Sequence, residues 1–176
     1  MSELDTLRTF YRLHSRVRRN YLEAILALPP GERTKDRGAS YPSLEAIYVH
    51  VLDGQVFWFE LVPQDRIEDA ARRERAGRPT DPAALRSMTD EADRRIEAFL
   101  GPLAPEDLAR EIICHFPGPT GPTEVRFLVG DILWHMVEEE FQHRGELNAL
   151  LWQMDVAPPI ASFSVWNDAK VPGMYR

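Results

Sequence analysis

The sequence has a single cysteine and very little lysine, and each scarcity argues against a class of protein. Cys114 has no second cysteine with which to form an internal disulfide or a paired-cysteine zinc site. The chain carries 21 basic and 28 acidic residues, for a net charge of −7. Because affinity for phosphate backbones comes largely from clustered Lys and Arg, we expect no nucleic-acid partner. The short arginine-rich runs at 16–19 and 72–75 are expected to be solvated helix faces or loops.

Long uncharged apolar runs are also missing. No stretch is long enough to span a bilayer, and no basic-then-apolar leader opens the sequence, so we expect a cytoplasmic protein with no membrane partner. The sequence contains neither a GxSxG nucleophile elbow nor a phosphate-binding glycine loop. Cys114 has no evident activating partner, so we predict a small core residue rather than a nucleophile.

The length of 176 residues fits one domain, 1–176, which can bury a core without covalent staples and ends in a tail from about 158. Apolar residues recur at helical spacing in four segments. The predicted helices cover residues 2–28, 43–62, 82–100 and 123–154. A charged linker is predicted at 63–80, and 111–116 could form a short extended piece. This pattern predicts an all-α four-helix bundle.

The last predicted helix carries two ionisable residues, Glu139 and His143, within its apolar stripe. The apolar members of that stripe are Leu128, Ile132, Met136, Leu147, Leu150 and Met154. A buried charge is costly unless it is paired or bound to a metal, and residues four apart on a helix are placed to do either.

A metal site would need a further ligand from a facing helix. His50, on the second predicted helix, supplies one, so His50, Glu139 and His143 are the candidate metal ligands. Three protein ligands leave coordination positions open, as catalytic sites do, and two imidazoles with a carboxylate suit Zn, Ni, Fe or Mn. Gly54, one turn beyond His50, indicates either a pocket there or close helix packing.

Two alternatives remain open at this point. In the first, Glu139 and His143 form a buried ion pair and His50 is a core histidine. In the second, His135 joins Glu139 and His143, but its Cα would lie roughly 12 Å from that of His143, too far for one ion to gather both easily. His14, on the inner stripe of the first helix, is expected to be a core or hydrogen-bonding residue.

Three segments resemble one known family. They are residues 44–50 (LEAIYVH), Phe57-Trp58 and residues 139–147 (EEFQHRGEL). Together they are similar to the DinB-like (damage-inducible), or YfiT-like, superfamily. The resemblance implies an up-down-down-up four-helix bundle with a long crossover. It also implies a metal held by three histidines, one on the second helix and two spaced by four before an Arg-Gly.

Carried over, two family ligands fall on His50 and His143, whereas Glu139 stands where the family usually has histidine. That departure changes the charge and the metal preference of the site. The resemblance further implies a metal-dependent hydrolase or thiol S-transferase that acts on a small molecule. In either chemistry the ion lowers the pKa of a bound water or thiol. Glu138, Glu140 and Glu146 are expected to form a solvated edge.

A different hypothesis is a non-catalytic dimer. Phe127, Trp134 and Phe141 are seven residues apart on the last predicted helix, opposite the ligand face, and such a seam favours a partner helix. The partner would be a second copy of the chain in a homodimer. Alternatively, the tail residues Phe163 and Trp166, or a neighbouring helix, cover the seam.

Overall fold

In the computed structural model of the protein, the described residues are 1–75 and 81–161, without the side chains of 73–75. Helices dominate these ranges. The α-helices are α1 (Glu3–Leu26), α2 (Pro30–Thr34), α3 (Leu44–Val56), α4 (Ile67–Arg75), α5 (Pro82–Leu100) and α6 (Val129–Gln153). A π-helical segment, Phe57–Leu61, continues α3, and a 3-10 turn, Pro105–Ala109, leads into the strands β1 (Glu111–Phe116) and β2 (Thr123–Leu128).

Side-chain caps fix the starts of three long helices. Ser2 forms a capping box with Asp5 on α1, and Ser43 accepts from the backbone N–H of Ala46 on α3. Asp81 accepts from two backbone N–H groups of α5, where Pro82 occupies the first turn. A capping residue and the group it bonds lie within one turn of the chain, so a helix start can be recognised from the local sequence. The three observed starts agree with the predicted ones to within a residue.

The prediction of an all-α protein was wrong at the β1–β2 hairpin. Residues 123–128, predicted as the start of the last helix, pair antiparallel with β1, and Ile112 lies opposite Phe127. Thr123, Val125 and Phe127 are residue types that favour a strand, and pairing satisfies their backbone groups. The last helix therefore begins at Val129, and Leu128, expected on its inner stripe, is exposed.

Two of the three connections between the long helices α1, α3, α5 and α6 contain a shorter α-helix. α2 occupies part of the segment that joins α1 to α3, and α4 lies inside the predicted linker 63–80. Ile67, at the start of α4, is buried and joins the core, which explains why this charged segment folds back onto the domain.

The long helices pack around two separate clusters of buried apolar residues. α1 contacts α5 and α6, and α3 contacts the same two helices. On α6, Met136 and Val137 belong to one cluster and Leu147 to the other. The buried ionisable residues of α6 lie in the interval between them. Within the described ranges, no helix is both long and apolar enough to cross a lipid bilayer.

Candidate metal centre

α3 and α6 bring His50, Glu139 and His143 together. Oε2 of Glu139 lies 3.1 Å from Nε2 of His143 and 3.7 Å from Nε2 of His50. One candidate ligand atom from each residue lies within 4.8 Å of the other two. The His143 side chain is only 4% exposed, whereas those of His50 and Glu139 are 29% and 26% exposed. The group is therefore closed on one side and open on the other.

The spacing of the Glu139 oxygen from the two histidine nitrogens suits a metal ion. Nitrogen and oxygen ligands about 2.1 Å from a tetrahedral ion lie roughly 3.4 Å from one another. The two distances from Glu139, 3.1 and 3.7 Å, bracket that value. Two imidazole nitrogens and one carboxylate oxygen are also a donor set that first-row divalent metals accept. The two histidines and Glu139 could therefore hold a metal ion, with the side chains drawn together around it.

Glu146 orients His143. Its Oε2 lies 2.6 Å from Nδ1 of His143 and also accepts from the Ser40 hydroxyl at 2.8 Å. Partial burial raises the pKa of Glu146, but the hydrogen bonds from Ser40 and His143 outweigh it and leave that pKa below its usual value. An ionised carboxylate only accepts, so Nδ1 carries the hydrogen and Nε2 is directed at Glu139. The Glu146 side chain is 26% exposed, so it lies at a partly solvated edge as predicted, but the prediction did not include its hydrogen bond with His143.

This orientation limits what can lie between His143 and Glu139. A lone pair on Nε2 would repel the carboxylate oxygen 3.1 Å away. Either a proton on Nε2 or a bound cation removes that repulsion. The first case is the ion pair considered as a structural alternative, and the second is the metal site.

Tyr41, which sequence reasoning missed, covers the group from the segment before α3. Its ring stacks on His50 with centroids 3.9 Å apart and meets the His143 ring edge-on at 5.8 Å. The two imidazoles are 4.8 Å apart and nearly perpendicular. Tyr41 follows Ser40 in the chain, so one short segment contacts both His50 and the Glu146 that orients His143.

A cavity of about 500 Å³ opens beside the group, and His50 and Glu139 form part of its wall. The other lining residues come mainly from α3, the π-helical segment and α4. They are Tyr41, Asp53, Gly54, Val56, Phe57, Trp58, Leu61, Ile67, Glu68, Ala70, Ala71, Phe116, Pro117 and Met136. A Cβ at Gly54 would lie 3.3 Å from Cε of Met136, so this glycine serves both close packing and the cavity.

The remaining histidines lie outside the group. His135 meets the Trp58 ring edge-on at 5.0 Å, His115 is exposed on β1 with Nδ1 2.9 Å from Oδ2 of Asp65, and His14 is buried elsewhere. Cys114 is buried in the apolar core, and burial raises the pKa of its thiol. Its surroundings agree with the predicted core role.

Glu140 was also expected on a solvated edge, and the structure contradicts this. It is buried and hydrogen-bonds with Arg18 and with Nε2 of Gln55, the latter at 3.1 Å. Nδ1 of His14 lies 3.6 Å from its second oxygen. Burial raises the pKa of Glu140, but the Arg18 charge and His14 outweigh it, so the carboxyl pKa is lowered. Arg18 also binds Asp93 at 2.7 Å.

A comparison with protein families identifies the family of the chain. The model of the DinB family matches residues 1–172, nearly the whole chain, so the chain belongs to the DinB family. The resemblance inferred from the sequence motifs is thereby confirmed. A search of curated proteins found none that matches.

Proposed function

We propose that this DinB-family protein holds a divalent metal ion on His50, Glu139 and His143 and acts on a small molecule in the adjoining cavity. The observation that carries the proposal is the convergence of three donor atoms, all within 4.8 Å of one another, beside a cavity large enough for a small molecule, whose wall includes His50 and Glu139. We further propose that the long helices α1, α3, α5 and α6 form the family's up-down-down-up four-helix bundle.

Each residue around such a site would have a separate role. His143 is held by Glu146, Glu139 presents an oxygen between the two imidazoles, and Tyr41 stacks on the outer face of His50. An ion held there supplies Lewis acidity that makes water or a thiol a better nucleophile at neutral pH. This chemistry fits hydrolysis or thiol transfer, with Zn, Ni, Fe or Mn as candidate ions. Relative to three histidines, Glu139 lowers the charge of the site by one.

Metal analysis tests the proposal directly. The wild type, His143→Ala and the control His135→Ala are purified without nickel resin and dialysed against equal concentrations of Zn, Ni, Fe and Mn. We expect one ion per chain in the wild type and in His135→Ala, and a loss of that ion in His143→Ala. Equal metal content in the wild type and His143→Ala would contradict the proposal that His143 is a metal ligand.

A second candidate function is a non-catalytic homodimer, favoured by two exposed aromatic side chains on α6. Trp134 is 38% and Phe141 is 45% exposed, and both meet Phe10 edge-on. Phe127, the third member of the predicted seam, lies instead on β2 and packs against Trp58. The tail residues that could cover the seam, Phe163 and Trp166, lie outside the described residues.

Sedimentation distinguishes this second candidate. We expect the wild type to sediment as a dimer and Trp134→Glu as a monomer, because a charge at the seam would have to be desolvated on association. A monomer in both cases would count against the dimer. A dimer could also be an enzyme, so this experiment leaves the metal proposal unaffected. A cytoplasmic location, and the lack of nucleic-acid and membrane partners, remain predictions.

A further inference from the structure

One short loop contacts side chains on both helices that carry the candidate metal ligands. We propose that this loop, residues 37–42, is a clamp that positions the two histidine ligands and thereby slows the release of the metal ion. Ser40 and Tyr41 are its contact residues, and both are positioning residues that act through other side chains. The inference rests on the proposed function, because it takes the site between α3 and α6 to be a metal site.

The loop holds its shape through hydrogen bonds of its own backbone. The N–H of Arg37 donates to the carbonyl oxygen of Pro42 at 2.7 Å and closes the loop. Within it, Gly38 has a φ of +66°, and its N–H donates to Oδ1 of Asp36 at 2.9 Å. Glycine adopts this left-handed backbone without strain, whereas most other residues adopt it at a cost. The two contact residues are therefore presented in a defined turn.

Ser40 makes the contact with α6. Its hydroxyl donates to Oε2 of Glu146 at 2.8 Å, and the same oxygen lies 2.6 Å from Nδ1 of His143. The Ser40 N–H makes a longer contact of 3.4 Å with Oε1 of that carboxylate. Because the Glu146 side chain is 26% exposed, water competes for its oxygens. Ser40 therefore helps to keep the carboxylate directed at the imidazole.

Tyr41 makes the contact with α3. Its ring stacks on the imidazole of His50, with centroids 3.9 Å apart and planes inclined by 21°. It also meets the His143 ring edge-on at 5.8 Å. The His50 side chain is 29% exposed, so the protein leaves it room to reorient on the solvent side. Packing of an aromatic ring against its face reduces that freedom.

The clamp joins two helices that the metal ion also joins. His50 lies on α3 and His143 on α6, so relative movement of these helices changes the distance between the two ligands. Mutation of residues that orient a ligand from outside typically changes metal affinity by about 10–100-fold. Ser40 is exposed and one contact further out, so we expect its effect to be smaller. Because the clamp acts on the loaded site, its loss should change the rate of release more than the rate of uptake.

The rate of zinc release tests the clamp. Zinc-loaded protein is mixed with excess EDTA, and the dissociation constant is measured separately by competition with a coloured chelator. We expect Ser40→Ala to release zinc about threefold faster than the wild type, and Tyr41→Ala about tenfold faster. The matched control Ser43→Ala removes the cap of α3 and should lower stability with release unchanged. Wild-type release rates in both Ser40→Ala and Tyr41→Ala would overturn the proposal.

Two further variants separate positioning from a structural role. In the Glu146→Gln background, Ser40→Ala should lose most of its effect, because Ser40 acts through that carboxylate. Tyr41→Phe keeps the stacked ring and should restore the wild-type release rate. An undiminished effect of Ser40→Ala in Glu146→Gln, or a Tyr41→Phe variant as fast as Tyr41→Ala, would contradict the proposed contacts.

Gly38→Ala tests the loop at a distance from the ligands. Alanine is strained at this positive φ, although its Cβ would meet no heavy atom of the described residues within 4 Å apart from its chain neighbours. The variant should disturb both contact residues and speed zinc release at least threefold. The control Gly31→Ala lies in α2, where φ is not positive and the added Cβ also has open space, and it should release zinc at the wild-type rate. Equal rates in Gly38→Ala and Gly31→Ala would count against a role for the loop.

A measurement without metal distinguishes the failure of this inference from that of the proposed function. In chelator-stripped protein, the Nδ1–H of His143 should exchange with water faster in Ser40→Ala than in the wild type, as followed by NMR. If the wild type binds no zinc but shows this difference, the metal function fails and the loop still positions His143. If the wild type binds zinc but exchange and release are the same in Ser40→Ala, the clamp fails and the metal function remains.

Discussion

Glu139 and Glu140 are consecutive residues of α6 with opposite surroundings. Glu139 is about a quarter exposed and faces two imidazoles beside an open cavity. Glu140 is buried and pairs with Arg18, with Gln55 and His14 around it. A residue step of about 100° turns the second carboxylate away from the cavity and into the helix interface. One charge is compensated permanently by the protein, and the other is available to an exchangeable cation.

On one turn of α6, we therefore expect Glu140 to affect the stability of the fold and Glu139 to affect metal binding. A buried pair contributes little net stability over apolar residues, but the loss of one partner leaves an uncompensated charge inside. When a part-exposed carboxylate loses its partner, water solvates the charge, so the free energy of unfolding changes little. The predictions below test that separation, beginning with the largest effect.

Glu140→Gln should destabilise the protein far more than Glu139→Gln. Removal of the buried carboxylate leaves Arg18 with Asp93 alone and should lower the free energy of unfolding by about 3–5 kcal/mol. The same change at Glu139 should cost less than about 1 kcal/mol. Urea denaturation of both variants in chelator measures the two values. Similar losses would show that the two carboxylates have equivalent roles.

Metal should stabilise the protein through Glu139. An ion at a hundred times its dissociation constant should raise the free energy of unfolding by about 2.7 kcal/mol. Thermal unfolding with and without chelator should show this gain in the wild type and in His135→Ala, and no gain in Glu139→Ala. A gain that survives in Glu139→Ala would place the ion elsewhere.

Glu146→Gln should weaken metal affinity by about 10–100-fold while leaving the fold intact. The amide cannot accept from Nδ1 of His143 as strongly as the carboxylate, so the imidazole is less firmly oriented and less basic. Competition with a coloured chelator measures the affinity. Glu138→Gln removes an exposed charge from the same helix and should leave the affinity unchanged.

The smallest effect should come from Gly145→Ala, which touches neither cluster. Apart from its chain neighbours and the backbone of its own helix, a Cβ at Gly145 would meet no heavy atom of the described residues within 4 Å, and glycine inside a helix is less stable than alanine. The variant should gain about 0.5–1 kcal/mol in urea denaturation, with metal affinity unchanged. A loss of stability or of metal would mean that the backbone near His143 needs this glycine.

Local signals predicted much of the fold. Ser2, Ser43 and Asp81 mark helix starts because each cap bonds within its own first turn. β2 was missed because a strand is defined by its partner, and 123–128 alone resembled the approach to a helix. The sequence of 123–128 therefore did not predict the strand, because its pairing with β1 is a tertiary contact.

The candidate site was predictable for a different reason. Helical periodicity and the family resemblance together indicated His50, Glu139 and His143. The same periodicity misplaced Glu140, because its partner Arg18 lies 122 residues away and leaves no local signal. Glu146 could have been found, since residues three apart on a helix face one another and a histidine ligand usually has a carboxylate partner.

The most direct test is anomalous diffraction from crystals of the metal-loaded protein at the absorption edge of the ion. The account predicts one anomalous peak about 2.0–2.2 Å from Nε2 of His50, Nε2 of His143 and an oxygen of Glu139, and no such peak in His143→Ala. No peak among these three side chains, or a peak that persists in His143→Ala, would contradict the account.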